Sequence, residues 1–140
     1  MKKPAILLSV IFAFSILLSS CSGEAKDEIV GTWEAIDVSA SVNDYTNIKD
    51  DVLDQTLDYY RTVNFEFFED FTMNIVSSGS SFPGSWKFFE DDNEIFIRME
   101  QHEAKDYKKF GVLANDTIVS TNVTGLGTIV VKYVKSSDYN

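Results

Sequence analysis

The sequence contains very few of the residues from which metal sites and nucleophilic active sites are usually built. Its 140 residues include one cysteine, Cys21, and one histidine, His102. A single cysteine cannot form an intrachain disulfide, and a zinc site needs three or four cysteine or histidine ligands at set spacing. One histidine also leaves little room for a catalytic triad, and no serine has a Gly-x-Ser-x-Gly context. We therefore expect no cofactor and no enzymatic activity, with a facing pair of carboxylates as the one catalytic arrangement left open.

Basic residues are scarce as well. The chain has 12 lysines and arginines against 22 aspartates and glutamates, a formal charge of −10. A polyanion repels phosphates, so we expect no nucleic-acid partner and no affinity for anionic headgroups. The acidic run at residues 90–94 lacks the ligand spacing and the glycine of a calcium loop, and it predicts a solvated hairpin turn.

The first part of the chain has no charged residue between Lys3 and Cys21. Lys2 and Lys3 precede an apolar run from Ala5 to Leu18, which has the length of a signal-peptide core and is shorter than the ~20 residues of a membrane-spanning helix. The sequence therefore predicts a signal peptide over residues 1–20. Its removal takes away two lysines and leaves one domain's length of chain with a formal charge of −12.

The end of that run, Leu18-Ser19-Ser20-Cys21, resembles the bacterial lipobox, in which leucine and two small residues precede a cysteine. The resemblance implies cleavage before Cys21, a thioether-linked lipid on its sulfur and acylation of the new amino terminus. Two or more acyl chains hold a protein durably to a membrane, whereas one does so only marginally. Two alternatives remain open: an ordinary signal peptide followed by a chance free cysteine, and an uncleaved anchor helix.

Residues 21–28 are then the lipidated cysteine and a polar, partly acidic tether. A serine after the lipidated cysteine, followed by acidic residues, resembles the tether of outer-membrane lipoproteins, including surface-exposed ones. We therefore expect a membrane partner through the lipid on Cys21, in the bacterial cell envelope at the outer membrane, on its periplasmic or its exterior face.

One helical pattern follows within the remaining domain, residues 29–136. Apolar residues recur at helical spacing from Ile48 to Tyr60, and acidic residues occupy the opposite face. Asn47 is placed to cap the N-terminus of the helix, and Arg61 lies near its C-terminus. The pattern predicts a helix over residues 48–61 that lies across a barrel mouth or packs on its wall. In the functional version of this hypothesis, the helix is a lid over a ligand portal.

The rest of the domain alternates apolar and polar residues with a period of two, as half-buried strands do. One such segment precedes the helix and seven follow it, separated by turn-forming residues that include a Gly/Ser/Pro loop over residues 77–84. Eight short consecutive strands favour an antiparallel meander, and closure into a barrel removes the exposed edges. The predicted fold class is therefore all-β: an eight-stranded antiparallel up-and-down barrel with one helix between strands 1 and 2.

Residues 29–135 also resemble the small lipocalin-like lipoproteins of the Bacteroidetes. Four segments carry the resemblance: Gly31-Thr32-Trp33, the Phe-x-Phe-x-x-Asp-x-Thr pattern of residues 65–72, Gly84-Ser85-Trp86 and Asn115-Asp116-Thr117-Ile118-Val119. The resemblance implies a barrel with one end closed by Trp33. That family usually has glycine after the turn aspartate, whereas this chain has Phe71, for which a positive φ is unfavourable.

An eight-stranded barrel is just wide enough to be filled by side chains or to hold one small ligand. We expect a membrane-anchored lipocalin-like lipoprotein that binds a small apolar or amphipathic ligand in the barrel. The alternative is a surface interaction or scaffolding lipoprotein with a filled barrel, and a lumen of ~300 Å³ or more would favour the first. The candidate ligand-binding residues of the lumen are Trp33, Phe65, Phe67, Met73, Trp86, Phe88, Ile97 and Tyr133.

Overall fold

The computed structural model describes residues 24–42, 49–101 and 106–136. The predicted signal peptide, Cys21, Asn47 and His102 lie outside these residues. The described residues form two helices, α1 (Glu24–Ile29) and α2 (Asp50–Thr62), and eight strands. The strands are β1 (Gly31–Val42), β2 (Asn64–Phe67), β3 (Thr72–Ser77), β4 (Ser80–Phe89), β5 (Glu94–Met99), β6 (Lys108–Ala114), β7 (Thr117–Thr124) and β8 (Gly127–Lys135).

The eight strands close into one barrel in which each strand pairs with its neighbours in sequence and β8 pairs with β1. Every pair is antiparallel. This confirms the predicted up-and-down barrel with one helix between its first two strands. Closure satisfies the backbone groups that an open sheet would leave exposed at its edges.

Three of the hairpin connections consist of only two residues. Ser78 and Gly79 both have positive φ, as do Asn115 and Asp116, which is the geometry of a two-residue type I′ hairpin turn. The expected loop over residues 77–84 is therefore wrong, because only two residues turn and β4 begins at once. Pro83 lies inside β4, opposite Asn74, where its carbonyl accepts a hydrogen bond from the backbone of Glu100.

The barrel has two different ends. Odd-numbered strands run from one end to the other and even-numbered strands run back, so the connections alternate between the ends. We call one the α1 end, which has α1 and the β2–β3, β4–β5 and β6–β7 turns. The other is the α2 end, which has α2 and the β3–β4, β5–β6 and β7–β8 connections.

Helix α1 includes residues 24–28, the described part of the segment that the sequence predicts to be a tether. Its last residue, Ile29, is fully buried, and the Ile29 carbonyl oxygen accepts a hydrogen bond from Trp33 Nε1 at 2.7 Å. Lys26 Nζ lies 4.5 Å from the centre of the Phe71 ring, and Lys135 Nζ donates to the Asp27 carbonyl at 3.4 Å. These contacts make α1 part of the folded domain, which therefore begins before residue 29.

Helix α2 begins at Asp50, two residues later than predicted. Lys49 occupies the N-cap position and makes no capping side-chain bond, while Arg61 pairs with Asp58 at 2.6 Å in the last turn. No residue of α2 is fully buried, although Leu57 and Tyr60 pack against the barrel core. The helix therefore covers the α2 end with one partly buried face. No helix in the described part of the chain has the length and apolar character needed to cross a membrane.

Phe71 lies in the β2–β3 turn with a φ of 64°, a conformation that favours glycine. Its backbone N–H donates to the Phe68 carbonyl at 3.1 Å, and its own carbonyl accepts from the backbone of Trp86 at 2.9 Å. The Phe71 and Trp86 rings pack with their centres 5.1 Å apart. The backbone thus adopts the conformation that favours glycine, and contacts with Trp86 and Lys26 hold the phenylalanine there.

Candidate functional site

A cavity of about 220 Å³ lies between α2 and the inside of the barrel. We call it the mouth cavity. Its lining comes from α2 and from the inward faces of six strands together with Val63: Tyr59, Tyr60, Val63, Phe65, Ile75, Ile97, Phe110, Ser120, Asn122 and Tyr133.

Two other cavities have similar volumes and a different chemistry. One, of about 250 Å³, lies at the α1 end and is lined by Trp33 and Leu113 together with three charged side chains, Glu28, Asp116 and Lys135. The other, of about 280 Å³, lies along β6 and β7 and includes the exposed side chain of Lys109. Volume therefore does not distinguish the three. Of these three, only the mouth cavity combines an apolar wall and polar groups with no charged side chain in its described lining. An apolar wall with a few polar groups is the usual composition of a small-molecule site.

The apolar wall of the mouth cavity follows from strand alternation. Phe65 and Ile75 face each other across β2 and β3, and both point inward. The Phe65 ring packs against Phe110, with centres 4.4 Å apart, and stands nearly perpendicular to Tyr133 at 5.2 Å. Such edge-to-face packing is favourable for aromatic rings and holds the wall in one arrangement.

Two polar residues of β7 form the second part of the lining. Ser120 is buried, and its hydroxyl donates to the Phe110 carbonyl at 2.6 Å. Asn122 Nδ2 donates to Ser120 Oγ at 3.3 Å. An asparagine amide has two N–H donors and one acceptor oxygen, so this bond leaves Asn122 with further hydrogen-bonding capacity at the cavity.

Three tyrosines complete the lining. Tyr59 and Tyr60 lie on α2 with their rings 5.7 Å apart, and Tyr133 comes from β8. Burial raises the pKa of Tyr133 well above its ordinary value, and the neighbouring Tyr60 and Tyr59 raise it further. Burial, and then Tyr59, also raise the pKa of Tyr60. Both phenols are therefore neutral near pH 7, so each can donate and accept a hydrogen bond.

Three of the eight predicted lumen residues, Phe65, Ile97 and Tyr133, line the mouth cavity. Phe88 is only half-buried, and the other four are buried elsewhere in the core: Trp33, Phe67, Met73 and Trp86. Phe67 and Trp86 pack with ring centres 5.6 Å apart, and Trp86 Nε1 donates to the Phe68 carbonyl at 3.1 Å. Trp33 also borders the cavity at the α1 end. Apart from the cavity that Trp33 borders, side chains fill the half of the barrel near α1.

Sequence reasoning did not single out Tyr59, Phe110, Ser120 or Asn122 as lumen residues. A signal for the last two is present in β7, where inward positions pass from Ile118 to Ser120 and Asn122. Val123 then points outward and is 83% exposed. Polar residues on an inward face, followed by an exposed valine, are the opposite of a packed strand's pattern and indicate a polar patch inside the barrel.

No group of three or more His, Cys, Asp or Glu side chains within residues 24–42, 49–101 and 106–136 is arranged to hold a metal ion. The described part of the site therefore offers hydrogen bonds and apolar surface to a ligand.

The fold and the cavity together define a closed antiparallel barrel with one small-molecule-sized cavity beneath its helix. Among solved structures, the chain is similar to that of a DUF4847 family protein from Bacteroides vulgatus, with 16% sequence identity and a TM-score of 0.48. That similarity covers 77% of this chain and 94% of the other. No protein-family model matches the sequence, and no curated protein matches it.

Proposed function

We propose that this chain is a lipid-anchored barrel protein of the bacterial cell envelope that binds one small apolar or amphipathic molecule in the mouth cavity. The observation that carries the proposal is the aromatic and aliphatic wall with Ser120, Asn122 and Tyr133 converging on it. Apolar pockets with a few well-placed polar groups are typical of small-molecule sites. The proposed activity is binding without catalysis.

The volume of the mouth cavity restricts the ligand. At about 220 Å³ it falls short of the ~300 Å³ that was expected to favour the binding function, so the proposal rests on the lining of the cavity and not on its volume. A dry engineered cavity of about 150 Å³ nevertheless binds benzene. The mouth cavity therefore has room for a compact molecule and is too small to enclose a whole lipid chain.

Anchoring at Cys21 would give the barrel a preferred orientation. Two residues separate Cys21 from α1, so the chain from Cys21 to Glu24 spans at most about 11 Å. Since α1 is fastened to the barrel through Ile29 and Trp33, a lipid on Cys21 would keep the α1 end near the membrane. The mouth cavity would then open toward the aqueous phase, from which the ligand would enter.

Native mass spectrometry of residues 22–140, which contain every described element, tests ligand binding. We expect a co-purified mass that organic solvent removes. Val63→Phe fills the cavity and should abolish that mass, whereas Val130→Phe makes the same change on the outward face of β8 and should keep it. A bound mass that survives Val63→Phe would place the ligand elsewhere.

The anchor is tested separately in a bacterial host. Cys21→Ser should leave a protein that carries no lipid and does not partition into the membrane fraction, because the thioether needs the sulfur. A lipid-modified Cys21→Ser protein in that fraction would refute the lipobox interpretation. For the orientation, a fluorophore on Asp91→Cys, at the α1 end, should be quenched by lipid-borne quenchers more strongly than one on Gly125→Cys, at the α2 end.

A second candidate function rests on the filled half of the barrel. Trp33, Phe67, Met73 and Trp86 are almost completely buried there. In this alternative, the chain is an interaction or scaffolding lipoprotein that uses its acidic surface, and the mouth cavity stays without a ligand. A mass equal to that of the polypeptide in every preparation would favour this function over the first.

A further inference from the structure

The described lining of the mouth cavity contains no lysine, arginine, histidine, aspartate or glutamate. An ionised ligand group buried among these residues would lose its hydration and gain no counter-charge from them, and burying an unpaired charge is strongly unfavourable. The formal charge of the chain, −10, adds repulsion for an anion. A carboxylate, such as that of a fatty acid, therefore does not suit this cavity.

A cation is disfavoured for a different reason. Aromatic cages bind cations through ring faces that surround the charge. Here the Phe65 and Phe110 rings lie 4.4 Å apart at an interplanar angle of 44°, so they pack against each other. Phe65 also meets Tyr133 at 82°. These rings form a wall for apolar contact and do not form a box around an ammonium group.

The polar groups of the lining can serve a neutral ligand at the mouth. Tyr60 and Tyr133 are phenols that both donate and accept, and Asn122 supplies an amide. Tyr133 lines the cavity, and no buried side-chain oxygen or nitrogen among the described residues lacks a hydrogen-bond partner. The Tyr133 phenol can offer a ligand one donor and one acceptor, which suits a group that both donates and accepts, such as an amide, an alcohol or a phenol.

Size sets the last restriction. If ~150 Å³ accommodates the six carbon atoms of benzene, about 220 Å³ accommodates ~9 non-hydrogen atoms. A rigid ring loses less conformational entropy on binding than a flexible chain of equal size. It also makes edge-to-face contacts with the Phe65 and Tyr133 rings.

Building on the proposed binding function, we infer that the ligand is an uncharged, single-ring amphipathic molecule of about nine non-hydrogen atoms. Its ring lies against the wall formed by Phe65, Ile75, Ile97 and Phe110, and its polar group bonds to Tyr133 and Asn122. Fatty acids and other ionised lipids are disfavoured.

Three isosteric probes separate the charge classes: benzamide (neutral), benzoate (anionic) and benzamidine (cationic), each with nine non-hydrogen atoms. Chemical-shift titration of residues 22–140 should give shifts confined to the mouth cavity. Benzamide should bind at least about tenfold more tightly than either ion. Toluene has no polar group, so its binding tests whether the cavity accepts an apolar ring.

The outcomes separate this inference from the proposed function. Equal or tighter binding of benzoate or benzamidine overturns the inference and leaves the binding function standing. Binding of toluene without benzamide has the same meaning, because the polar end would then have no role. If none of the four probes shifts cavity resonances, both the inference and ligand binding in this cavity are refuted.

A pair of matched variants tests the polar end. Tyr133→Phe removes one hydroxyl and should weaken benzamide binding about three- to tenfold while leaving toluene binding unchanged. Tyr107→Phe makes the same change at a hydroxyl that bonds to Ser85 Oγ at 3.0 Å outside the cavity, and it should alter neither affinity. An unchanged benzamide affinity in Tyr133→Phe would overturn the assignment of that hydroxyl.

Discussion

Trp33 donates a hydrogen bond from its indole nitrogen to the carbonyl oxygen of Ile29, four residues earlier, across 2.7 Å. Both side chains are almost completely buried. The bond joins the last residue of α1 to the first strand, and the indole fills the core of the α1 end. One aromatic side chain thus fastens the helix to the barrel and contributes apolar burial.

Trp33→Ala should lower the free energy of unfolding by about 3–5 kcal/mol, the usual cost of truncating a large buried aromatic residue. Trp33→Phe keeps a ring and leaves the Ile29 carbonyl without its partner, which costs about 1–3 kcal/mol for a buried group. Urea unfolding of residues 22–140 measures both. A change within ~0.5 kcal/mol for Trp33→Ala would mean that this side chain lies on the surface.

Phe71 tests the energetic effect of a positive φ at a residue that is not glycine. Phe71→Ala and Phe71→Gly both remove the ring contact with Trp86, and they differ in whether a Cβ occupies a φ of 64°. We expect Phe71→Gly to be more stable than Phe71→Ala by about 1 kcal/mol, because only glycine adopts this conformation without strain. Equal free energies of unfolding in the two variants would show that the turn relaxes to a negative φ.

Substitutions at Gly127 and Gly79 allow the cost of a steric clash to be compared with the cost of a positive φ alone. A Cβ at Gly127, with φ of 141°, would lie 2.2 Å from the Ser41 carbonyl oxygen, whereas one at Gly79, with φ of 78°, would meet no atom within 4 Å. Gly79→Ala should cost about 1 kcal/mol for the left-handed conformation alone. Gly127→Ala should cost more, since the β1–β8 pairing must move. Equal thermal stabilities would contradict this ranking.

The raised pKa of Tyr133 predicts a loss of stability at high pH. Below about pH 10, the ordinary tyrosine value, the phenol is neutral in both states and its contribution is fully present. Above that pH the unfolded chain loses the proton while the folded chain retains it, so the free energy of unfolding decreases as the pH rises. Tyr133→Phe should remove part of this decrease.

The pKa of Lys135 is also shifted, so the contribution of Tyr133 has to be measured as the difference between wild type and Tyr133→Phe. Burial lowers the pKa of Lys135, while the charges of Glu28, Asp116 and Asp27 partly oppose that shift. Its contribution therefore increases as the pH rises above its folded-state pKa, opposite to that of Tyr133. The difference between wild type and Tyr133→Phe, from urea unfolding between pH 8 and 11, isolates the tyrosine. If the free energies of unfolding of wild type and Tyr133→Phe changed equally with pH, the raised pKa would not belong to Tyr133.

Local patterns are sufficient to predict the strands and their closure. Alternation in residues such as Val63, Phe65 and Phe67 places their side chains on one face, and all three are buried. The number and order of the strands also follow, because short antiparallel strands pair with their sequence neighbours. The predicted helix was right in position to within two residues, since its apolar spacing is a property of the segment itself.

The division of the lumen into a filled half and an open half does not follow from alternation. Phe65 and Phe67 have the same inward phase, yet only Phe65 lines the mouth cavity. Their depth along the barrel depends on strand tilt and stagger, which the pairing of all eight strands sets together. Residues from β2, β3, β5, β6, β7 and β8 meet at the cavity, so no single segment reveals it.

The sequence by itself determined the strand order and the inward face of each strand, because these depend on neighbouring residues or on a period of two. The lipobox signal is also read from neighbouring residues, and it stays a prediction. The tertiary structure decided where α1 docks, that Phe71 adopts a positive φ beside Trp86, and that Tyr60, Asn122 and Tyr133 share one cavity. Each of these depends on contacts between residues distant in the chain or on the closed geometry of the barrel. The conformational preferences of single segments do not specify these contacts, because the contacts form only when distant strands have paired.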